Sequence, residues 1–531
     1  MRLGRCGLIH ILKNPKNPKG FVKEVSKKSK ESQKYAKRFQ KLKKHQKNIK
    51  EQQMTKTKTI KVNISPLIAD DSAEYQSLAD SQKQWGMQDT NINSLNTRGV
   101  KNKPVEIKRD MEFKLSPFDI LHFDEIELLT ISGGAFYNGH VIQENACAFG
   151  EHKYINGVYN TFKQLQKRLF IPTNLSELKQ DIKIILSALF GREQKRLANN
   201  APKILFHSPN WDCFSHFSFE EFPRLLACLK AILKAKNMQI PEGGGGNEMS
   251  KALDQNLCAD FHCTDFQKLR EINFDELIII APIRDATSFK QYIYPALLSI
   301  TKEHNPDCEF AISEKNIVCV NSVKLPQKML IKARNVFVPT QVKYDKEHLS
   351  FAMEHLRKFY YDENFDKGCE RIYISRAKSA KRFLVNEKEF REFIEKRFGF
   401  KTLIMEEVSF KDKINYLSRA KVLLSVDGTS IMNYAYMQGG KAVALRVKEF
   451  PEYPFQTIFG VDFLPIICDI DTPVETDFGY GAVAPTWWAS NIKADIPYIE
   501  SKLKAYGIEP ISQNPSTQAN THLKQSNTPK E

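Results

Sequence analysis

The chain has no long apolar run. No stretch approaches the ~18–20 apolar residues that cross a bilayer as a helix, and the short run Gly7–Leu12 leads into Lys13 and Asn14 rather than a small-residue cleavage site. A helical span and a secretory leader are therefore not expected, and the expected location is cytoplasmic. Clustered cysteine is also lacking. Ten cysteines are scattered along the sequence, and only Cys258 and Cys263, with His262 between them, lie close together. That spacing is no standard zinc arrangement and no second pair follows, so free thiols and no metal site are expected. The four glycines of Gly243–Gly246 lack phosphate-loop spacing, and no Lys-Ser or Lys-Thr pair follows them. No Asp-x-Asp metal motif follows a strand; Asp469-Ile-Asp471 has the letters but runs into Thr-Pro. Excess charge is missing from most of the chain. The total is +17, but residues 1–60 hold 19 Lys+Arg against 3 Asp+Glu, and the other 471 residues hold 60 basic and 59 acidic.

Composition divides what is present. Residues 1–60 are a basic arm, in which Tyr35, Phe39, Leu42 and Ile49 fall at helical spacing among Lys and Gln. The arm is expected to be partly helical or disordered. Its charge suits peripheral contact with an anionic membrane through residues 13–58, on the inner face of the plasma membrane, each Lys being worth about 1 kcal/mol. Nucleic acid is the alternative partner, but it is not expected, given a neutral body and an arm without interleaved aromatics. Residues 61–110 are polar and read as a linker. Residues 111–335 combine a small β-rich element with a first αβ domain, with strands at Lys203–Phe206, Glu276–Ile280 and Ile317–Val320. Residues 336–506 form a second αβ domain, and residues 507–531 a polar tail expected to be disordered. Strands separated by helices predict parallel sheets, so the expected class is α/β with two facing Rossmann-like domains.

The second αβ region carries the clearest ligand signal. Strand Arg371–Ser375 runs into the basic loop Arg376–Arg382, and strand Lys421–Val426 ends in Asp427-Gly428-Thr429-Ser430 before an apolar helix. Ligands of open α/β sheets lie at the carboxyl ends of strands. A Gly-Thr-Ser turn offers N–H groups and the positive end of a helix to a phosphate. Arg376 and Arg382, with Lys381 in reserve, are the candidate phosphate ligands, because a guanidinium forks onto phosphate oxygens. Gly428, Thr429 and Ser430 add N–H and hydroxyl donors. The pairing points to a nucleotide or a nucleotide-sugar.

Ile374-Ser375-Arg376, Arg382, Asn386-Glu387, Phe398-Gly399-Phe400, Ser409-Phe410, Ala420 and the Asp427–Asn433 turn with Gly439-Gly440 resemble the donor half of glycosyltransferase family 61. In the first region, His216-Phe-Ser-Phe-Glu220-Glu-Phe-Pro223-Arg224-Leu225 resembles the family's His–Glu–Leu-Pro-Arg-Leu signature, and the two matches occur in the family's order. The resemblance implies a GT-B-like fold. It also implies transfer of a hexose or pentose, with inversion, from a nucleotide-sugar donor to a surface polysaccharide or lipid-linked glycan. Bacterial members serve capsular polysaccharide or lipopolysaccharide synthesis, and no cofactor beyond the donor substrate is implied. One departure stands out. The family's turn opens on His, whereas Asp427 here sets a carboxylate where the phosphates would lie. Asp427 and Asn433 are therefore candidates for sugar or ribose hydroxyls. The alternatives are that Asp427 caps the following helix, that the donor lies differently, or that the chain is a non-catalytic member.

Glycosyl transfer needs stabilisation of a leaving diphosphate and a base for the acceptor proton. Without a metal motif, cations and helix dipoles must supply the first, so a metal-independent reaction is expected. His216 and Glu220, four residues apart, are the candidate base pair, and Asp285, which closes Pro282–Asp285 after a strand, is a third candidate. The alternatives are that His216 caps a helix, that Glu220 pairs with Arg224, and that Asp285 forms a salt bridge or caps the Phe289 helix. Pro223 would break the interior of a helix begun at Phe217. A helix starting near Glu221, with His216–Glu220 as its approach loop, avoids that conflict.

Overall fold

The computed structural model describes residues 58–69, 105–115, 118–129, 134–137, 140–142, 192–208, 211–237, 262–263, 266–284, 286–310, 312–320, 330–340, 342, 345–447, 458–474 and 486–511. Residues 1–57 of the basic arm, most of the polar stretch that follows, Gly243–Gly246, Cys258, Asp285 and the tail beyond residue 511 lie outside the described residues. The stretch read as a linker is bracketed by two strands, β1 (Lys58–Ala69) and β2 (Val105–Leu115), which pair with each other.

The first large sheet contains β3 (Asp119–Leu129), β4 (Ala135–Tyr137), β5 (His140–Val141), β6 (Lys203–Leu205), β7 (His262–Cys263), β8 (Ile278–Ala281), β9 (Ile317–Cys319) and β10 (Leu330–Pro339). Its order is β5-β4-β3-β10-β6-β8-β9, with β7 also against β3. The β-rich element is thus the antiparallel flank of this sheet, joined through β3 to β10. β10, β6, β8 and β9 run parallel. The expected division between residues 335 and 336 falls inside β10, a strand the pattern conceals. Ile331 and Ala333 are buried while Lys332 and Arg334 face out to Glu125 on β3, at 2.8 and 3.0 Å. Asn335 then takes a positive φ of 53°, and the apolar run resumes as Val336-Phe337-Val338, all buried.

The second sheet contains β11 (Arg371–Ile374), β12 (Lys401–Leu403), β13 (Val422–Val426), β14 (Gly440–Arg446) and β15 (Val461–Ile467), all parallel, in the order β12-β11-β13-β14-β15. Both faces are covered, which is why its strands are nearly continuous in apolar residues. Alternation splits each strand between two cores. Ile372, Ile374, Leu423 and Ala442 belong to one core, with helices Lys346–Tyr360 and Phe410–Arg419 and the first sheet's residues. Tyr373, Leu424, Val443 and Leu445 belong to the other, with helices Glu387–Phe398 and Ile496–Ala505. The result is a mixed α/β, Rossmann-like arrangement.

Topology fixes where ligands can go. Chain direction carries β11 outward to β12 on one side and, through β13, to β14 and β15 on the other. The helices on either side of β11 and β13 therefore diverge and leave a crevice at their carboxyl ends, as at the switch point of any doubly wound sheet. The same reversal occurs in the first sheet between β10 and β6.

Candidate functional site

At the second sheet's switch point, the register sets Ile374 beside Ser425 and Val426 beside Leu445. The Ser375–Arg382 loop and the Asp427–Ser430 turn therefore emerge side by side. Gly428 adopts φ 130°, and a Cβ there would meet Arg382 Nη1 at 2.7 Å, so the guanidinium lies directly over this glycine. Trp488, in the short helix Thr486–Ala489, stacks on Arg382 at 5.3 Å. Arg382 holds a left-handed φ of 54°, a strained conformation of the kind that clusters at ligand sites.

Arg376 behaves differently from the sequence expectation. Its Nε donates to the Arg382 carbonyl (2.7 Å), Nη1 to Ser430 Oγ (3.2 Å), and Nη2 to Ser379 Oγ (2.8 Å) and the Lys381 carbonyl (3.2 Å). Four of its five N–H groups are turned inward, so the residue shapes the loop and presents almost nothing to a phosphate. Ser430 is likewise internal, 8% exposed, with its hydroxyl donating to the Val426 carbonyl at 3.0 Å. Asn433 is buried and its Nδ2 holds the Ser430 carbonyl at 2.8 Å. Thr429 and Lys381 remain partly exposed. The cations crowd one another. Burial, then Arg382, pushes Arg376 down to about 10; burial, then Arg382 and Arg376, pushes Lys381 down.

Asp427 is buried against Arg446, Oδ2 to Nε at 3.1 Å, and its Oδ1 accepts from the Gly428 N–H at 2.7 Å. Its charge is therefore matched within the sheet rather than aimed at the crevice. It does not cap the next helix either: the short 3₁₀ segment Ile431–Tyr436 starts after Ser430.

From the first sheet, β6 leads through the buried His207 and Ser208 to the turn Phe214–His216, a π-turn Phe217–Glu221 and the helix Phe222–Asn237. His216 Nδ1 and Glu220 Oε1 are 3.0 Å apart. Arg224 pairs with Glu221 instead, fully buried, and burial raises the Glu221 carboxyl to about 7 against the opposing pull of Arg224. The helix therefore does not begin near Glu221. It runs on from Phe214, and the wider π-turn just before Pro223 relieves the clash that a proline ring makes with the carbonyl four residues back.

The two switch points meet at Cys213. Its Sγ lies 3.2 Å from Ser215 Oγ and 3.9 Å from Thr429 Oγ1. Burial pushes the thiol up, but nearby His216 and hydrogen bonds from Ser215 and Thr429 outweigh it, and the thiol is held below its usual range. A further tie is Ser218 Oγ to Tyr436 OH at 3.0 Å. Lys413 also reaches this seam, 7% exposed and 5.3 Å from the Phe214 ring centroid. Neither Cys213 nor Lys413 belongs to a recognisable motif; only their positions, just before the His216 signature and one turn after Ser409-Phe410, hinted at them. Among the described residues no helix is long and apolar enough to cross a membrane.

Comparison with curated proteins gives no match. Residues 214–444 match the sequence model of the family Glycosyltransferase 61, a span from the lead-in to His216 through the Asp427 turn and into β14, and the chain carries a domain of that glycosyltransferase family.

Proposed function

We propose that the chain transfers a sugar from a nucleotide-sugar to a glycan or lipid-linked acceptor, with inversion and without a metal. The observation that carries this reading is the crowding of Arg376, Lys381 and Arg382 at a switch point, opposite a His–Glu pair 3.0 Å apart. Mutually repelling cations of this kind are relieved by an anion, and a leaving diphosphate supplies two or more negative charges. In this reading Lys381, Arg382, Thr429 and the N–H groups of the Gly428 turn hold the diphosphate, and Arg376 and Ser430 keep the loop and turn in shape. His216 accepts the acceptor's proton, with Glu220 orienting its ring and stabilising the imidazolium. The neighbouring cations support metal independence, because they provide the charge a metal would otherwise bring.

The same reading takes residues 111–335 and 336–506 as acceptor-side and donor-side domains of a GT-B-like pair, adjusted so that β10 stays whole. It places the enzyme on the cytoplasmic side, with residues 13–58 touching anionic lipid. The deciding experiment is titration calorimetry with UDP-, GDP-, CMP- and dTDP-linked sugars in the presence of EDTA, followed by assay of nucleoside diphosphate release. Binding and release that survive EDTA are expected. Silence across the panel refutes the proposal and favours a non-catalytic member.

A further inference from the structure

Among the described residues three lysines are buried, Lys203, Lys413 and Lys502, and the first two are satisfied very differently. Lys203 Nζ donates to the carbonyls of Asn199, Ala201 and Arg334 at 2.8, 2.7 and 2.9 Å, and contacts Asn199 Oδ1 at 3.1 Å. Its ammonium has replaced its water shell with protein oxygens, as a buried charge must. Lys413 is 7% exposed, yet among the described residues its ammonium donates no hydrogen bond and forms no ion pair. The contact it does make is with the face of Phe214, and a ring quadrupole compensates only part of the desolvation of an ammonium.

Its surroundings explain the geometry. Lys413 lies one turn into the helix Phe410–Arg419, whose start follows the carboxyl end of β12 and whose Ser409 cap accepts from Asp412 N. Phe214 adjoins Cys213, and the Cys213 thiol faces Thr429. Glu406 acts electrostatically on both Lys413 and Arg376. The ammonium is therefore held at the same edge of the sheet as the basic loop, with no hydrogen-bonding oxygen among the described residues. Burial pushes Lys413 down to about 8, so it still carries a proton in most molecules near neutral pH.

We propose that Lys413 is a direct ligand of the donor diphosphate, a further cation of the switch-point site that binds an oxygen anion arriving over the Phe214 ring. This rests on the reading of the cleft as a nucleotide-sugar site. An incoming phosphate oxygen supplies an acceptor that the described residues do not, so binding offsets part of the ammonium's desolvation.

The test uses the full chain, with inorganic pyrophosphate and UDP as probes in titration calorimetry and melting measurements. Lys413→Met should weaken pyrophosphate at least tenfold, while the ligand-free variant melts at or above the wild-type temperature, because an uncompensated charge has been removed. Lys413→Gln, which keeps a polar end, serves if the Met variant fails to fold, and the same loss is expected of it. Unchanged pyrophosphate affinity in the folded variant overturns the assignment, whatever its melting temperature. Wild-type protein that binds pyrophosphate and UDP but is indifferent to the substitution overturns this inference alone. Wild-type protein that binds neither overturns the nucleotide-sugar reading and this inference with it.

Discussion

Replacing Asp427 tests whether the departure from the family's His-led turn is structural or chemical. Asp427 and Arg446 close neighbouring strands, with side chains 8% and 3% exposed and 3.1 Å between Oδ2 and Nε. Asp427→Ala leaves a buried guanidinium without its counter-charge, a loss of about 3–5 kcal/mol. It also removes the acceptor of the Gly428 N–H, worth about 1 kcal/mol. Arg446→Met should cost about as much as the charge loss alone, since it strands the carboxylate. The double variant Asp427→Leu with Arg446→Met removes both charges and should recover most of either loss, giving a coupling energy of at least about 2 kcal/mol. Urea unfolding of all four proteins measures the cycle. Titration of the double variant with UDP should give an affinity within about threefold of wild type. Additive single effects would refute the structural role. So would a stable double variant whose diphosphate affinity falls tenfold, which would put Asp427 on the ligand.

Arg382→Ala should weaken nucleoside diphosphate binding at least tenfold, about 1.4 kcal/mol, with little change in melting temperature, whereas Arg376→Ala should lower both because it releases four inward hydrogen bonds. Equal melting temperatures for the two variants would contradict that division. His216→Asn should reduce kcat by about 10²–10⁴ with donor affinity unchanged, and Glu220→Gln should act in the same direction but less; a loss confined to KM would move the pair out of the chemistry. Because the Cys213 thiol is held below its usual range, more of it is thiolate at a given pH. Its alkylation by iodoacetamide should therefore reach half-maximal rate below about pH 8.5. UDP should protect it, and alkylation indifferent to UDP would separate Cys213 from the donor.

Much of the second sheet was legible because each strand there is short, apolar on both faces and closed by a charged loop or a glycine. The strands expected at Arg371–Ser375 and Lys421–Val426 fall within a residue of their expected ends. β10 escaped notice because its first half is amphipathic and its second half buried, with Asn335 between. No single period describes such a strand. At the site, the sequence paired the Arg376–Arg382 loop with the Asp427–Ser430 turn but did not show which way their side chains point. Arg376 and Arg382 are equally basic on paper; only the folded loop shows that one holds the backbone of the other. Lys413 was hidden for a related reason, because the Phe214 ring it faces lies some two hundred residues away in the sequence.

The π-turn ahead of Pro223 makes the chemistry depend on a residue count. One extra residue per turn between Phe217 and Glu221 sets the phase of everything before it relative to the buried helix behind it. Removing any single residue there would rewind the turn to α-helical spacing, press the proline ring onto a carbonyl and rotate His216 by about 100° around the axis. Cys213 would swing with it, away from Thr429. Substitutions within the segment can thus be absorbed where a deletion cannot, and the seam between the two sheets is kept in register by length as much as by side-chain identity.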